Sequence, residues 1–149
     1  MDSRFFLSWH ISLIEELRVA RLATIGPGGR PHLVPFCYAL LGDVLVMPVD
    51  EKPKRSQLLQ RLKNVGADPR VTVLFDRYED DWTKLAWVRV EGLAEVVEGV
   101  SIPLALAALR GRYSQYLEMD LESRPLMTIK PQAVSGWRWV EDPRRGGPG

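Results

Sequence analysis

The sequence predicts a mainly β fold of the α+β class, built as a six- to seven-stranded antiparallel barrel with about three helices. Short runs rich in β-branched and aromatic residues recur at close spacing along the chain. The first of these runs are joined by links too short for the crossovers that parallel strands need. Only three segments place apolar residues at helical spacing. So many short strands with so few helices are typical of a small closed barrel.

Length and composition limit the class of protein. The chain has 149 residues, which is enough for about one domain, and 20 basic residues against 19 acidic ones give a net charge of +1. One cysteine and two histidines exclude a disulfide framework and a multi-cysteine zinc site. We expect one domain over residues 1–142 and a disordered tail over residues 143–149, which are rich in Gly, Pro and Arg.

From the sequence we expect neither a targeting segment nor a membrane span. Glu15 and Glu16 lie where a signal peptide requires an apolar core. The longest uncharged stretch, residues 31–42, is shorter than the roughly 18–20 residues that span a bilayer. The balanced charge also gives no field that would recruit nucleic acid. We therefore expect a cytoplasmic protein with no membrane partner and no nucleic-acid partner.

The first half of the chain predicts one helix followed by an antiparallel meander. Residues 6–17 have apolar side chains at three- and four-residue spacing, after Asp2 and Ser3, which are suitable helix caps. Residues 19–25 and 31–40 are predicted strands on either side of a Gly-Pro-Gly-Gly turn. A third strand, residues 44–49, follows a tight turn.

The second half predicts two helices and the remaining strands. A helix starts at Pro53 and stops at Gly66, because proline suits a first turn and glycine a helix end. Strands are predicted over residues 71–78 and 85–98, the second with a bulge at Gly92. A third helix over residues 104–113 precedes two short strands, residues 126–130 and 136–140.

A local basic segment is the most informative chemical feature. Residues 52–63 hold five basic side chains and no acidic one, at the point where a strand ends and a helix begins. A helix N-terminus offers free amide donors and a partial positive charge, so added cations there indicate a bound phosphate. A solvated basic face is the alternative, and composition alone leaves both open.

The strand PHLVPFCY is a second indication of a binding site. Pro31 and Pro35 interrupt an otherwise apolar strand, which suits either a ligand-facing position or an ordinary sheet edge. Between them, His32 is either a contact to a ligand carbonyl and candidate proton donor, or a surface residue beside a turn.

Taken in order, the segments ARLATIGPGGRPHLVPF, DEKPKR, DPRVTVLFD and WVRVEGLAEVV resemble the flavin-binding split barrels related to pyridoxamine phosphate oxidase. Within that superfamily the chain is most similar to the small proteins that bind the deazaflavin coenzyme F420. The resemblance extends over about residues 19–140. It implies a split β-barrel and a homodimer with the cofactor at the subunit interface, acting on a small-molecule substrate.

The resemblance also implies cofactor-binding residues. In flavin-using relatives a Ser-Arg-Lys sequence holds the cofactor phosphate, and Lys52-Pro53-Lys54 takes that place here. Relatives place their second strand along the ring edge and the end of their third beside the ring. Trp87 stands where they have a glutamine, so stacking replaces a hydrogen bond. The implied cofactor-binding residues are His32, Leu33, Val34, Pro35, Met47, Pro48, Lys52, Lys54, Arg55 and Trp87.

Three functions are consistent with these features. The first is an F420-dependent oxidoreductase that moves a hydride between the coenzyme and a small organic acceptor, with no catalytic side chain and no metal assigned. The second is an FMN-dependent oxidoreductase or flavin reductase on the same barrel. The third is a non-enzymatic flavin- or tetrapyrrole-binding protein. True pyridoxamine phosphate oxidation is rejected, because the C-terminal signature of that enzyme has no counterpart in SGWRWVEDP.

Overall fold

A computed structural model describes residues 3–49 and 55–141, without the side chains of residues 55–59. Asp2, Lys52, Pro53, Lys54 and the tail 143–149 lie outside the described residues. Within the described residues the three α-helices are α1 (Ser8–Glu16), α2 (Arg55–Ala67) and α3 (Pro103–Arg112). The seven strands are β1 (Ala20–Ile25), β2 (Pro31–Phe36), β3 (Ala39–Leu41), β4 (Val44–Pro48), β5 (Arg70–Arg77), β6 (Ala86–Glu98) and β7 (Pro125–Arg138).

The strands form one antiparallel sheet in the order β2-β1-β5-β6-β7-β4-β3. The predicted α+β fold class, strand number and helix number are confirmed. The predicted closure is wrong: within residues 3–49 and 55–141, β2 and β3 are the two outermost strands of an open sheet. The barrel is therefore split, with β2 and β3 as its edges.

The predicted strand over residues 31–40 is two strands on opposite edges of the sheet. The chain leaves β2 after Phe36 and resumes in β3 at Ala39. Tyr38, which is fully buried, fixes this break: its amide donates to the hydroxyl of Tyr113 at 3.1 Å. Its own hydroxyl donates to the carbonyl of Ile14 at 2.6 Å. These tertiary contacts override an apolar run that has no local signal for a break.

The last strand is longer than predicted. The two short strands expected at residues 126–130 and 136–140 are one continuous β7, despite the proline at position 131. Pro131 lies opposite Gly92 in β6, where the register shifts, so the missing proline N–H falls at an irregular part of the ladder. The register shift lies at Gly92 as predicted, but the extra residue is in the partner strand: Glu91 pairs with Ala133 and Gly92 with Pro131, which leaves Gln132 of β7 unpaired. A Cβ at Gly92 would lie 2.5 Å from the carbonyl oxygen of Lys130.

Two helix boundaries differ from the predicted ones: the start of α1 and the end of α2. Helix α1 begins at Ser8 rather than beside Ser3, whose hydroxyl instead accepts from the amide of Phe6 at 2.9 Å. His10 Nδ1 accepts from the amide of Leu7 at 3.1 Å and so caps the helix start. Helix α2 continues through Gly66 to Ala67, because a single glycine lowers helix propensity without ending a packed helix.

Two hydrophobic clusters hold the fold together. The larger lies inside the curved sheet beneath α1 and includes Ile14, Leu22, Phe75 and Val88, all fully buried. The smaller joins β3 and β4 to α3. One face of β1, β5 and β6 is therefore core, and their alternate residues point away from it. None of the helices that the structure describes is long and apolar enough to cross a membrane.

Candidate functional site

Several predicted site residues share the face of the sheet that points away from the core, here called the outer face. Leu33 lies opposite Ala23, and Leu74 lies opposite Arg21 and Arg89. Leu33 is 67% exposed and Leu74 is 36% exposed. Paired residues of neighbouring strands share a face, so Leu33, Pro35 and Trp87 are all outer-face residues.

One end of the outer face carries two tryptophan side chains, with charged side chains next to them. Trp87 in β6 lies directly opposite Trp137 in β7. The Arg89 guanidinium lies 5.4 Å from the centre of the Trp87 ring. Arg21 and Asp76 form an ion pair at 3.0 Å on the same face. This end can accept a flat ring on the indoles and hydrogen-bond polar groups at its rim.

His32 and Val34 face the opposite way, toward the core, because side chains alternate along β2. His32 lies opposite Thr24. Its Nδ1 is buried and has no hydrogen-bond partner in the part of the chain that the structure describes. Consecutive residues 32–35 therefore cannot all place side chains against one ring, although their backbone groups share the open edge of β2.

A buried polar cluster that the sequence analysis missed lies on β1 and α2. Asn64 Nδ2 donates to Thr24 Oγ1 at 3.0 Å, and Gln60 Nε2 donates to Asn64 Oδ1 at 2.7 Å. Thr24 and Asn64 are both buried. The available signal was Asn64 beside Val65, a polar residue on the apolar side of the predicted helix. The cluster fixes α2 against the strand that neighbours His32.

The end of β4 supplies two more predicted residues. Met47 and Pro48 are buried in the strand and pair with Met127 and Leu126 of β7. Met47 Sδ accepts from Arg61 Nη1 at 3.9 Å. One member of the basic segment is thus directed at β4 rather than into solvent. Met47 and Pro48 thus lie immediately before the β4–α2 junction, and their contact with a cofactor ring stays a prediction.

The predicted phosphate-binding residues sit at that junction in sequence. Strand β4 ends at Pro48 and α2 begins at Arg55, so the basic segment does fall between a strand end and a helix start. Lys52 and Lys54 lie outside the described residues, and the side chain of Arg55 does too. Their contact with a phosphate stays a prediction. Across the described ranges, no group of three or more His, Cys, Asp or Glu residues is placed to hold a metal ion.

Comparison with known proteins adds to this geometry. The sequence profile of the family described as pyridoxamine 5'-phosphate oxidase matches residues 10–138. A conserved hypothetical protein from Mycobacterium tuberculosis has a similar structure, with a TM-score of 0.71 and 25% identity, covering 93% of this chain and 90% of that one. No protein with a curated description matches the sequence.

Two further solved structures have ligands in their descriptions. A heme-binding protein from Mycobacterium smegmatis has a TM-score of 0.69 and 23% identity over 87% of this chain, which spans 52% of that protein. A FAD-binding protein from Mesorhizobium loti has a TM-score of 0.63 and 24% identity, covering 84% of this chain and 87% of that one. At these identities the likeness is one of fold.

The matched profile begins in α1 and ends at the last residue of β7, so it contains all seven strands and both faces of the candidate site. The predicted resemblance to the split-barrel superfamily is confirmed at that level. The chain belongs to the pyridoxamine 5'-phosphate oxidase family.

Proposed function

We propose that this protein is an oxidoreductase that uses the deazaflavin coenzyme F420 to move a hydride to or from a small organic acceptor. The observation that carries the proposal is the family match over all seven strands, with the basic segment located at the β4–α2 junction. Lys54 stands at the position that holds the cofactor phosphate in flavin-using relatives. The extra anionic groups of the coenzyme tail suit the further cations of the basic segment.

The residues present fit such a coenzyme. A deazaflavin has two apolar ring faces and a polar edge, so its site needs apolar surfaces and a few hydrogen-bonding groups. The buried, unpartnered Nδ1 of His32 is a group of that kind beside an open strand edge. Exposed Leu33 and half-buried Trp87 supply apolar surface. An orphaned buried nitrogen costs free energy unless a ligand satisfies it.

The protein's contribution is binding and positioning. The bound coenzyme supplies the hydride chemistry at its ring, which explains why no catalytic side chain is assigned. Lys52, Lys54 and Arg55 would hold the phosphate, and Leu33 with Trp87 would exclude water from the ring. Backbone groups of residues 32–35 along the open edge of β2 would hold polar groups at the ring edge. Fixed orientation of this kind accelerates transfer without an acid or base from the protein.

Two alternatives have specific support. The FAD-binding protein from Mesorhizobium loti favours an FMN-dependent oxidoreductase or flavin reductase, since Lys54 would hold either phosphate. The heme-binding protein from Mycobacterium smegmatis favours a non-enzymatic flavin- or tetrapyrrole-binding protein. For the latter, His10 is a poor iron ligand, because it is buried and its Nδ1 already accepts from Leu7.

Replacing Lys54 tests the phosphate assignment directly. We expect the wild-type protein to bind the deazaflavin more tightly than FMN or hemin in fluorescence and absorbance titrations. Lys54→Ala should weaken deazaflavin binding at least about tenfold, roughly 1.5–3 kcal/mol for one charge-assisted contact. Lys130→Ala removes an exposed lysine from β7 and serves as the matched control.

The titration separates the three functions. If FMN binds more tightly than the deazaflavin, or if the purified protein is yellow because it retains FMN, the cofactor is FMN and not the deazaflavin. Tight binding without hydride transfer to any acceptor tried would support the carrier function. Unchanged deazaflavin affinity in Lys54→Ala would remove the phosphate assignment.

We further propose that the protein is a homodimer in which two copies pair through the outer face, with the cofactor at the subunit interface. The exposed apolar side chains there are Leu33 of β2 and Leu74 of β5, and the same face carries Pro35 and the Trp87–Trp137 pair of β6 and β7. A second copy would cover Leu33 and Leu74. Aromatic and aliphatic anchors of this kind dominate the energetics of protein interfaces.

Size measurement tests the pairing. The wild-type chain of 16.9 kDa should sediment at about twice that mass. Leu74→Arg should shift the equilibrium toward monomer at least about tenfold, because it buries a further cation directly between Arg21 and Arg89. Leu104→Arg, on the exposed side of α3, is the matched control and should leave the mass unchanged. A wild-type monomer at all concentrations would refute the pairing.

A further inference from the structure

The outer face contains a groove of about 370 Å³ that runs from the β1–β2 turn to Gln132 of β7. Its floor has small side chains, because Ala23 of β1 lies opposite Thr72 of β5 there. Glu91 of β6 lies directly opposite Thr72 and also lines the groove. Paired residues of neighbouring strands share a face, so Glu91 points into this groove and not into the core. We call it the Thr72–Glu91 groove.

Two residues of β6 on the outer face carry opposite charges that are not paired with each other. Arg89 and Glu91 are separated by one residue, so both side chains point to the same face, roughly 7 Å apart along the strand. Both are exposed, and among the described side chains of residues 3–49 and 55–141 neither has an ion-pair partner. The Arg89 guanidinium lies 5.4 Å from the centre of the Trp87 ring, on the side away from Glu91.

Two neighbouring arginines of the same face already have carboxylate partners within the chain. Arg21 pairs with Asp76 at 3.0 Å. Arg70, which also lines the groove, pairs with Asp68 at 2.7 Å and donates to it through Nε as well. A guanidinium held at two of its nitrogens by one carboxylate is not free to move to Glu91. The Thr72–Glu91 groove therefore has a carboxylate that a cation from outside the chain can reach.

Opposite charges at neighbouring positions of one strand are complementary to themselves across a two-fold axis. Each contact between two different residues of a symmetric dimer occurs twice. When two outer faces meet with the axis perpendicular to β6 at the level of Val90, the two β6 strands run antiparallel and Arg89 of each copy faces Glu91 of the other. An axis parallel to β6 instead places like charges of the two copies at the same level, which is unfavourable.

We propose that two copies of this chain are joined by a reciprocal contact, in which Arg89 of each copy enters the Thr72–Glu91 groove of the other and pairs with Glu91. The inference rests on the proposed pairing through the outer face and adds its register, with β6 antiparallel to β6. The small side chains of Ala23 and Thr72 leave room for the incoming guanidinium. A register that buried Arg89 or Glu91 without a partner would cost free energy, so the contact selects one alignment of the two sheets.

Charge reversal followed by sedimentation velocity tests the contact. Arg89→Glu and Glu91→Arg should each shift the equilibrium toward monomer at least about tenfold, because each variant sets like charges against each other twice per dimer. A one-to-one mixture of these two variants should form a heterodimer of about twice the chain mass of 16.9 kDa. In that heterodimer both contacts again join a cation to a carboxylate. The double variant Arg89→Glu/Glu91→Arg should dimerise by itself for the same reason.

Glu15→Arg is the matched control, because it makes the same charge change on the exposed side of α1, which packs on the core side of the sheet, and it should stay dimeric. Thermal melts check that each variant is folded. Single variants that dimerise like wild type, or a mixture that stays monomeric, would overturn the reciprocal contact and leave the pairing through the outer face to the Leu74→Arg test. A wild-type monomer would overturn the contact together with the pairing. Deazaflavin titration decides the hydride-transfer function separately in every case.

Discussion

Gly99→Ala should destabilise the protein by about 3 kcal/mol or more, among the largest effects of any single methyl group in this chain. Gly99 is buried in the short turn between β6 and α3. A Cβ there would collide with the carbonyl oxygen of Leu121, and a second backbone oxygen, that of Arg124, lies 3.1 Å away. Backbone oxygens cannot rotate aside as a side chain can, so the whole turn must shift.

The turn is also held by hydrogen bonds that such a shift would break. The amide of Gly99 donates to the carbonyl of Arg124 at 2.8 Å, and the amide of Val100 donates to the carbonyl of Glu122 at 3.0 Å. A thermal melt followed by circular dichroism should show the midpoint falling by roughly 6–12 °C for a loss of this size. The smaller cluster around α3 should loosen first.

Gly111→Ala is the matched control for that prediction. Gly111 lies in α3, and a Cβ there would meet nothing within 4 Å. Alanine is the better helix former, so this variant should gain about 0.5–1 kcal/mol. If Gly99→Ala melts within a degree or two of wild type, the close approach of the two turns is not present in solution.

Local sequence signals predicted only part of the fold. Strands were predicted from local composition, and the irregularity at Gly92 was predicted from a glycine inside an apolar strand. Long-range contacts decided the rest. The break between β2 and β3 depends on Tyr38 reaching α1 and Tyr113, and the continuity of β7 depends on Pro131 lying opposite the bulge. Neither partner is visible from residues near the break.

Parts of the candidate site were also predictable from local sequence signals, and other parts were not. The basic segment and the proline-flanked strand were predictable, because charge at a helix start and proline in a strand are local signals. The Thr24–Asn64 hydrogen bond was not, since it joins residues from distant parts of the chain. Sequence reasoning thus located the elements of the site but not the polar side chain that α2 brings to it.

Arg112→Ala should lower the free energy of unfolding by about 3 kcal/mol, the second large effect. The reason is that the Arg112 guanidinium joins α3 to the end of α1 by hydrogen bonds. Arg112, near the end of α3, donates to the carbonyl of Glu15 at 2.7 Å and also to that of Leu17, at the end of α1. Its guanidinium carbon lies 4.8 Å from the ring centre of buried Tyr38. These carbonyls are helix-end acceptors that no backbone amide of α1 can satisfy.

A graded series identifies the cause of that loss. Arg112→Lys keeps the charge but cannot reach several carbonyls at once, so denaturant unfolding should place it between wild type and Arg112→Ala. Arg30→Ala removes an exposed arginine from the β1–β2 turn and should leave stability unchanged. Equal stability of wild type and Arg112→Ala would mean that water replaces the guanidinium at no cost, and that the sheet alone positions α1.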